Sequence, residues 1–212
     1  MAHGLPLTRR PGPAWRYWAG LSLGLGLLAT LVSGLALQGW LPPEACDWQP
    51  GQFLAEPWRA WTAALLQWSP MHWAANLAGC AVLAWLGRSA DLGCRWALAW
   101  LLAWPLTQLG LLLRPDLAHY AGLSGVLHAG VCIAALALML ERRRRPERAI
   151  GLLIGLGLLS KVLLEHPLGA ALRPMPGWDI AMAPFAHLSG VGAGVVSGGL
   201  AWAVTIRAPG AA

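Results

Sequence analysis

Hydrophobic positions in this chain run in long unbroken blocks and do not alternate with polar ones. Six blocks stand out: Trp18–Leu37, Met71–Leu86, Trp96–Leu113, Gly122–Leu140, Ala149–Leu164 and Phe185–Ile206. A helix needs about 20 apolar residues, within a range of about 17–25, to cross a bilayer. The pattern therefore predicts six spanning helices, the second and fifth extended at their ends by neighbouring residues. A closed β-barrel is the other backbone that lipid tolerates, but it would alternate with a period of two, and these Leu, Ala and Gly runs do not. The expected fold class is an all-α membrane protein. Residues 1–17 form an N-terminal segment, 18–206 a six-helix membrane domain and 207–212 a short tail. The first block follows Arg9, Arg10 and Arg16, and Gly34-Leu35-Ala36 would pass as a signal-peptide cleavage site. Its apolar stretch is longer than the roughly 7–15 residues of a signal sequence, which favours a retained anchor.

Composition strengthens this picture. Hydrophobic residues make up 57% of the chain and charged residues 11%, against about 25% charged in a soluble domain. The net charge of +6 is not spread as a nucleic-acid-binding face would be. It falls in short clusters between apolar blocks, as orientation signals do. Arg9, Arg10 and Arg16 precede the first block, Arg88 and Arg95 separate the second from the third, and Arg207 follows the sixth. Arg142, Arg143, Arg144, Arg145 and Arg148 separate the fourth from the fifth and read as a topology anchor. The opposite loops carry only Arg59, Arg114 and Arg173, beside Glu44, Asp47, Glu56, Asp116, Glu165 and Asp179. Lys and Arg mark the cytoplasmic side, so both termini are expected inside.

Trp15, Trp18, Trp40, Trp85, Trp96 and Trp178 fall near block ends, where an interfacial tryptophan belt is expected. The four cysteines suggest neither a disulfide framework nor a metal site. The Pro- and Gly-rich stretches Trp40–Pro57 and Pro167–Pro184 read as external loops.

Three short motifs carry candidate chemistry: His72-Trp73-Ala74-Ala75-Asn76, Gly122-Leu123-Ser124-Gly125 and Ala186-His187-Leu188-Ser189-Gly190. With the N-terminus inside, the second, fourth and sixth helices all begin at the external face. His72, Ser124 and His187 each then lie within about the first turn, which rises about 5.4 Å, and share one depth. A serine, a histidine and further hydrogen-bond donors at one level are the parts of nucleophilic attack on a carbonyl. Each motif alone has a plainer reading. Gly and Ser serve close helix packing in membranes, and His72 with Asn76, four apart on one face, would glue two helices.

Ser189 is a weaker nucleophile candidate than Ser124. Two residues along a helix from His187, it points about 200° away from the imidazole. Gly190 and Gly194 leave a bare ridge below His187. If that ridge faces the fourth block near Gly125 and Ala129, it carries His187 to Ser124. No acidic residue is placed by sequence to orient His187, Asp179 being in the loop before it. The expected site is a two-member Ser–His arrangement, with no cofactor and no metal.

Glu56-Pro57-Trp58-Arg59, then His72 and Asn76, Gly122-Leu123-Ser124-Gly125, and Ala186-His187 with Gly190 and Gly194 resemble, in order, the motifs of rhomboid intramembrane serine proteases. The resemblance implies a six-helix N-in, C-in bundle with Ser124 as nucleophile and His187 as general base. It also implies an oxyanion site of His72, Asn76 and the Ser124 backbone N–H, with Trp58, Arg59, Gly122, Gly125, Gly190 and Gly194 in support. Many rhomboids have a tyrosine four residues after the serine, where this chain has His128. Together with the short chain, Tyr120-Ala121-Gly122-Leu123-Ser124-Gly125-Val126-Leu127-His128 looks like the rhombosortase branch. That branch implies a multi-pass protein of the bacterial cytoplasmic membrane with its site open to the periplasmic side. The implied partners are the lipid bilayer and exported proteins whose C-terminal tail carries Gly-Gly, a membrane helix and a basic end. Their acyl group would pass to water or to an amine. Housekeeping rhomboid proteolysis, an inactive helix-binding escort, and a transporter relaying protons through His72 and His187 are the other readings. The transporter lacks the repeated halves and broken helices expected of one.

Overall fold

The computed structural model describes residues 14–207 apart from Arg142 and Arg144. Of the arginines used above to orient the chain, Arg9, Arg10, Arg142 and Arg144 lie outside the described residues, as does the tail beyond Arg207. The described chain is helical, with two isolated β-bridges and no strand among the described residues. Its α-helices are α1 (Trp15–Leu37), α2 (Arg59–Thr62), α3 (Pro70–Ser89), α4 (Cys94–Leu109), α5 (Ser124–Leu140), α6 (Arg145–Leu164) and α7 (Pro184–Arg207). A 3₁₀ turn at Gly110–Leu113 extends α4.

Local chemistry sets several of these ends. Ser69 caps α3 by accepting a hydrogen bond from the His72 backbone N–H, and Pro70 takes the first helical position, where no intrahelical donor is needed. Pro184 opens α7 in the same way. After α1, Gly39 adopts φ 75°, the left-handed stop that glycine takes without a Cβ penalty.

Among the described residues, three helices are long and apolar enough to cross a membrane. They are Trp15–Leu37, Cys94–Leu113 and Pro184–Val204, with mean hydropathies of 1.9, 1.5 and 1.2. The central α5 is apolar but has 17 residues. α3 and α6 are each 20 residues long, but α3 carries His72, Asn76 and Arg88, and α6 carries Arg145, Glu147, Arg148 and Lys161. The outer faces of α1 and α6 present Leu23, Leu27, Leu31, Leu153, Leu156 and Leu163 to the exterior. Exposed apolar faces suit contact with a membrane or with another protein, and the chain is compatible with a membrane protein.

The core is built on α5, which packs against α3, α4, α6 and α7, while α1 packs on α3 and α4. Trp18 and Trp100 stack with centroids 4.6 Å apart at its centre. Gly87 makes room for the Trp18 indole, since a Cβ there would meet its Cδ1 at 1.8 Å. Two of the tryptophans expected in an interfacial belt are therefore core residues. Trp18 is 0% and Trp96 1% exposed. Each indole N–H has a partner, the Leu83 carbonyl for Trp18 and Glu141 Oε1 for Trp96, so neither needs interfacial water. Trp40 and Trp85 are exposed.

One end of the bundle gathers charge. Arg88 lies over the Trp15 ring, and Arg95 and Arg143 both pair with Glu141. The first turns of α3, α5 and α7, with the last turn of α6, lie at the other end.

Candidate active site

The three helix starts meet. Ser124 is the first residue of α5, and its Oγ lies 3.0 Å from Nε2 of His187 in the first turn of α7. Two close approaches hold them in register. A Cβ on Gly190 would meet the Gly125 carbonyl oxygen at 2.0 Å, and one on Gly194 would meet the Ala129 oxygen at 2.8 Å. The bare ridge of α7 thus lies on α5 at the two residues expected. Gly125 is tight from its own side too, with Ala186 O 2.8 Å and Thr107 Cγ2 2.9 Å from its would-be Cβ.

The approach to Ser124 is set by backbone and loop contacts. Gly122 has φ 140°, a conformation L side chains rarely adopt, and its would-be Cβ falls 2.4 Å from His72 Cε1. Only glycine admits both the turn and the imidazole. The Gly122 N–H donates to the Ala63 carbonyl, and Tyr120 pairs with Trp48 in an isolated bridge. Arg59 is buried outside the cavity. It donates to the Glu44 and Asp47 carbonyls and pairs with the Asp47 and Glu56 carboxylates. Asp47 Oδ2 in turn lies 2.6 Å from His119 Nδ1, five residues before Ser124. Arg59 therefore supports the loop that leads into Ser124, whereas Trp58 is half-exposed and does not line the cavity.

Ser124 and His187 open onto a cavity of about 650 Å³. Its polar wall includes His72, Asn76, His128, Lys161 and Glu165, and its apolar wall includes Trp68, Leu172, Met175, Trp178 and Ile180. Asn76 Nδ2 donates to Gln67 Oε1 at 2.6 Å, which fixes the amide and leaves its second N–H. His72 is buried, and its Nδ1 has no partner among the described residues. A buried polar atom left unpaired points to a missing partner. Ser189 faces elsewhere, its hydroxyl donating to the Thr107 carbonyl at 2.6 Å.

Two features depart from the sequence-based expectation. First, His187 does have an acidic partner: its Nδ1 lies 2.7 Å from Glu165 Oε2, just beyond the end of α6. Glu165 is 22 residues from His187 in sequence and follows the last residue of α6, which packs beside α5. Burial opposes charge on this carboxyl, but the hydrogen bonds from His187 and Lys161 prevail and hold it well below the usual carboxylate range. Second, Lys161, one helical turn earlier, stands 2.8 Å from Glu165 Oε1 and 2.6 Å from His128 Nε2. An ionisable residue in the last turn of an apolar helix was itself a signal of a functional position. The spacing of Lys161 and Glu165 put them on one face.

His128 stacks on His187, with centroids 4.1 Å apart and planes 12° apart. Its Nδ1 lies 2.6 Å from the Ser124 carbonyl oxygen. No protein-family model and no curated protein matches the chain.

Proposed function

We propose that this chain is an intramembrane serine endopeptidase of the rhomboid type. The observation that carries the reading is the 3.0 Å contact between Ser124 Oγ and His187 Nε2 at the head of a cavity lined by His72 and Asn76. A serine hydroxyl becomes a nucleophile when an adjacent base takes its proton. With Nδ1–H donating to Glu165, the Nε2 lone pair faces the hydroxyl.

In the proposed reaction, Ser124 Oγ attacks a substrate carbonyl carbon while His187 Nε2 takes the hydroxyl proton. Charge on the carbonyl oxygen is met by His72, by Asn76 and by the Ser124 N–H. The last, at the first position of α5, has no intrahelical acceptor. Each such donor is worth about 2.7–4 kcal/mol in the transition state. His187 then returns the proton to the leaving amine, and water or another amine cleaves the Ser124 ester.

The same reading has six helices cross the bacterial cytoplasmic membrane with both termini inside. The clustering of Arg88, Arg95 and Arg143 at the end opposite Ser124 supports it, because arginines favour the cytoplasmic side. The substrate class we favour is an exported protein with a Gly-Gly pair just outside its C-terminal helix. Glycines let an extended backbone enter a site walled by the Gly122 turn and the His72 ring.

A fluorophosphonate probe tests the chemistry. It should form an adduct on the peptide containing Ser124 in wild-type protein and none in Ser124→Ala or His187→Ala. Labelling of Ser124→Ala at wild-type level would refute the assignment. Co-expression with a Gly-Gly-tailed reporter, and with a version carrying valines there, tests the substrate. Equal cleavage of both versions would leave a general rhomboid protease.

A further inference from the structure

Hydrogen-bonding groups around Ser124 form a closed circuit that begins and ends on that residue. The Ser124 hydroxyl meets His187 Nε2 at 3.0 Å, and His187 Nδ1 meets Glu165 Oε2 at 2.7 Å. Glu165 Oε1 meets Lys161 Nζ at 2.8 Å, Lys161 Nζ meets His128 Nε2 at 2.6 Å, and His128 Nδ1 meets the Ser124 carbonyl oxygen at 2.6 Å.

With Lys161 charged, Glu165 ionised and both imidazoles neutral, one arrangement of protons satisfies every link. A carbonyl oxygen can only accept, so His128 carries its proton on Nδ1 and offers the Nε2 lone pair to the Lys161 ammonium. That ammonium donates also to Glu165. An ionised carboxylate can only accept, so His187 carries its proton on Nδ1. Its Nε2 lone pair is then left for the Ser124 hydroxyl. Lys161 Nζ lies 3.2 Å from His187 Nδ1 as well, but both atoms carry protons in this arrangement, so the contact is electrostatic. The His128 tautomer is thereby fixed by the Ser124 carbonyl on its own helix, and that of His187 by Glu165 just beyond the end of α6.

We propose that Glu165 is a positioning residue for His187, anchored by Lys161, so that the site works as Ser124–His187–Glu165 and not as a serine–histidine pair. The inference rests on the peptidase reading above. Glu165 does not touch the reacting carbonyl. It holds the imidazole in the tautomer that can accept the Ser124 proton, and its charge stabilises the imidazolium that results. It stays ionised throughout, and the proton shuttles only between Ser124 Oγ, His187 Nε2 and the leaving amine. Lys161 orients the carboxylate by occupying its other oxygen, and the stacked His128 ring fixes the plane of His187.

The titratable groups that face His187 are Glu165 and Lys161 from the end of α6, His128 from α5 and His72 from α3. His119 and Tyr120 line the same cavity from the loop before Ser124. Glu165 is the only acid in this set, so removing its charge has a signed effect. The imidazolium loses its stabilising partner, and the acid limb of the reaction moves to lower pH. Removing the Lys161 charge moves that limb to higher pH.

The experiment is the rate of fluorophosphonate labelling of full-length protein in detergent from pH 5 to 9, normalised to the folded fraction from tryptophan fluorescence. Glu165→Gln should lower the plateau rate by roughly 10²-fold or more, since an amide can hold the wrong tautomer. It should shift the acid limb down. Glu165→Asp should recover part of the rate, and Lys161→Met should shift the limb up. A folding defect alone moves neither limb. Wild-type labelling by Glu165→Gln, with its limb unmoved, would overturn the proposal while leaving the Ser124–His187 peptidase intact. Two limbs moving in the same direction would overturn it too. Labelling that persists in Ser124→Ala would defeat the peptidase reading itself.

Discussion

Gly190→Ala is the perturbation that tests whether α7 packing sets the reactive geometry. A Cβ at this position would lie 2.0 Å from the Gly125 carbonyl oxygen, 2.8 Å from its carbonyl carbon and 3.2 Å from its Cα. All three are backbone atoms of α5, so no side chain can rotate away. Non-bonded carbon contacts relax near 3.5 Å, so the first turn of α7 must retreat from α5 by roughly 1.5 Å. His187 is three residues before Gly190 on the same ridge and moves with it. A retreat along the 3.0 Å contact to Ser124 would stretch it to about 4.5 Å, beyond hydrogen-bond length, while a shift across it would leave it near about 3.4 Å. A misplacement of about 1 Å at a reacting centre can cost about 10²-fold. Overpacking itself costs about 1–3 kcal/mol.

Gly192→Ala is the matched control. It lies on the same helix, and a Cβ there has nothing within 4 Å. It should be neutral or slightly stabilising, because alanine is favoured over glycine in a helix by up to about 1 kcal/mol. Both variants should be labelled with a fluorophosphonate and melted in the same detergent. Gly190→Ala should label about 10²-fold more slowly than Gly192→Ala, and its melting temperature should fall. If Gly190→Ala reacts at the wild-type rate, the α5–α7 contact does not set the distance between Ser124 and His187.

Ser189→Ala should keep most activity, because its hydroxyl only donates to the Thr107 carbonyl; an inactive Ser189→Ala beside an active Ser124→Ala would reverse the choice of serine. Asp179 accepts from the Ser69 hydroxyl and the Met71 N–H, ties the loop after α6 to the start of α3, and is held below its ordinary value chiefly by Ser69. That tie is complete at neutral pH and is lost as pH falls through the lowered value, so the protection of amides near Met71, taken against the intrinsic exchange rate at each pH, should fall in acid, and Asp179→Asn should show the low protection already at pH 7. Single cysteines in the loop 167–183, in a background without the native four, should react with an impermeant maleimide added outside, and cysteines near Arg145 should not. The reverse pattern would invert the proposed orientation.

How far the sequence was legible differs from feature to feature for physical reasons. The helices were visible because an apolar block of spanning length leaves the backbone few alternatives to intrahelical hydrogen bonds. α3 and α6, the second and fifth blocks, extend into neighbouring residues as expected, to Ser89 and back to Arg145, since polar residues continue a helix where the apolar pattern stops. The meeting of Ser124 with His187 was legible through glycine spacing, because an absent Cβ leaves a regular mark along a helix. The burial of Trp18 and Trp96 was not legible. Their place near block ends suits an interface, and only Leu83 and Glu141, far away in sequence, satisfy their N–H groups.

Glu165 shows where sequence reading stops. From the chain alone it is one acid among several in external loops, 22 residues before His187. What brings it to the imidazole is the packing of α6 along α5, where Gly151 lets the helices close. A Cβ there would meet Leu138 Cβ at 2.7 Å and the Ala135 oxygen at 2.9 Å. Lys161 was the clue within reach. A lysine on the apolar helix α6 needs a counter-charge, and one turn onward on the same face the chain supplies Glu165. Lys161 also reaches His128, so the histidine that, under the proposed rhomboid reading, stands where many of those proteases have tyrosine belongs to the same group of charges. Tyrosine could stack on His187, but it has no lone-pair nitrogen to receive the Lys161 ammonium while donating to Ser124 O. His128, Lys161 and Glu165 therefore make chemical sense as a set, and His128→Tyr should loosen Lys161 and Glu165 even where the stacking survives.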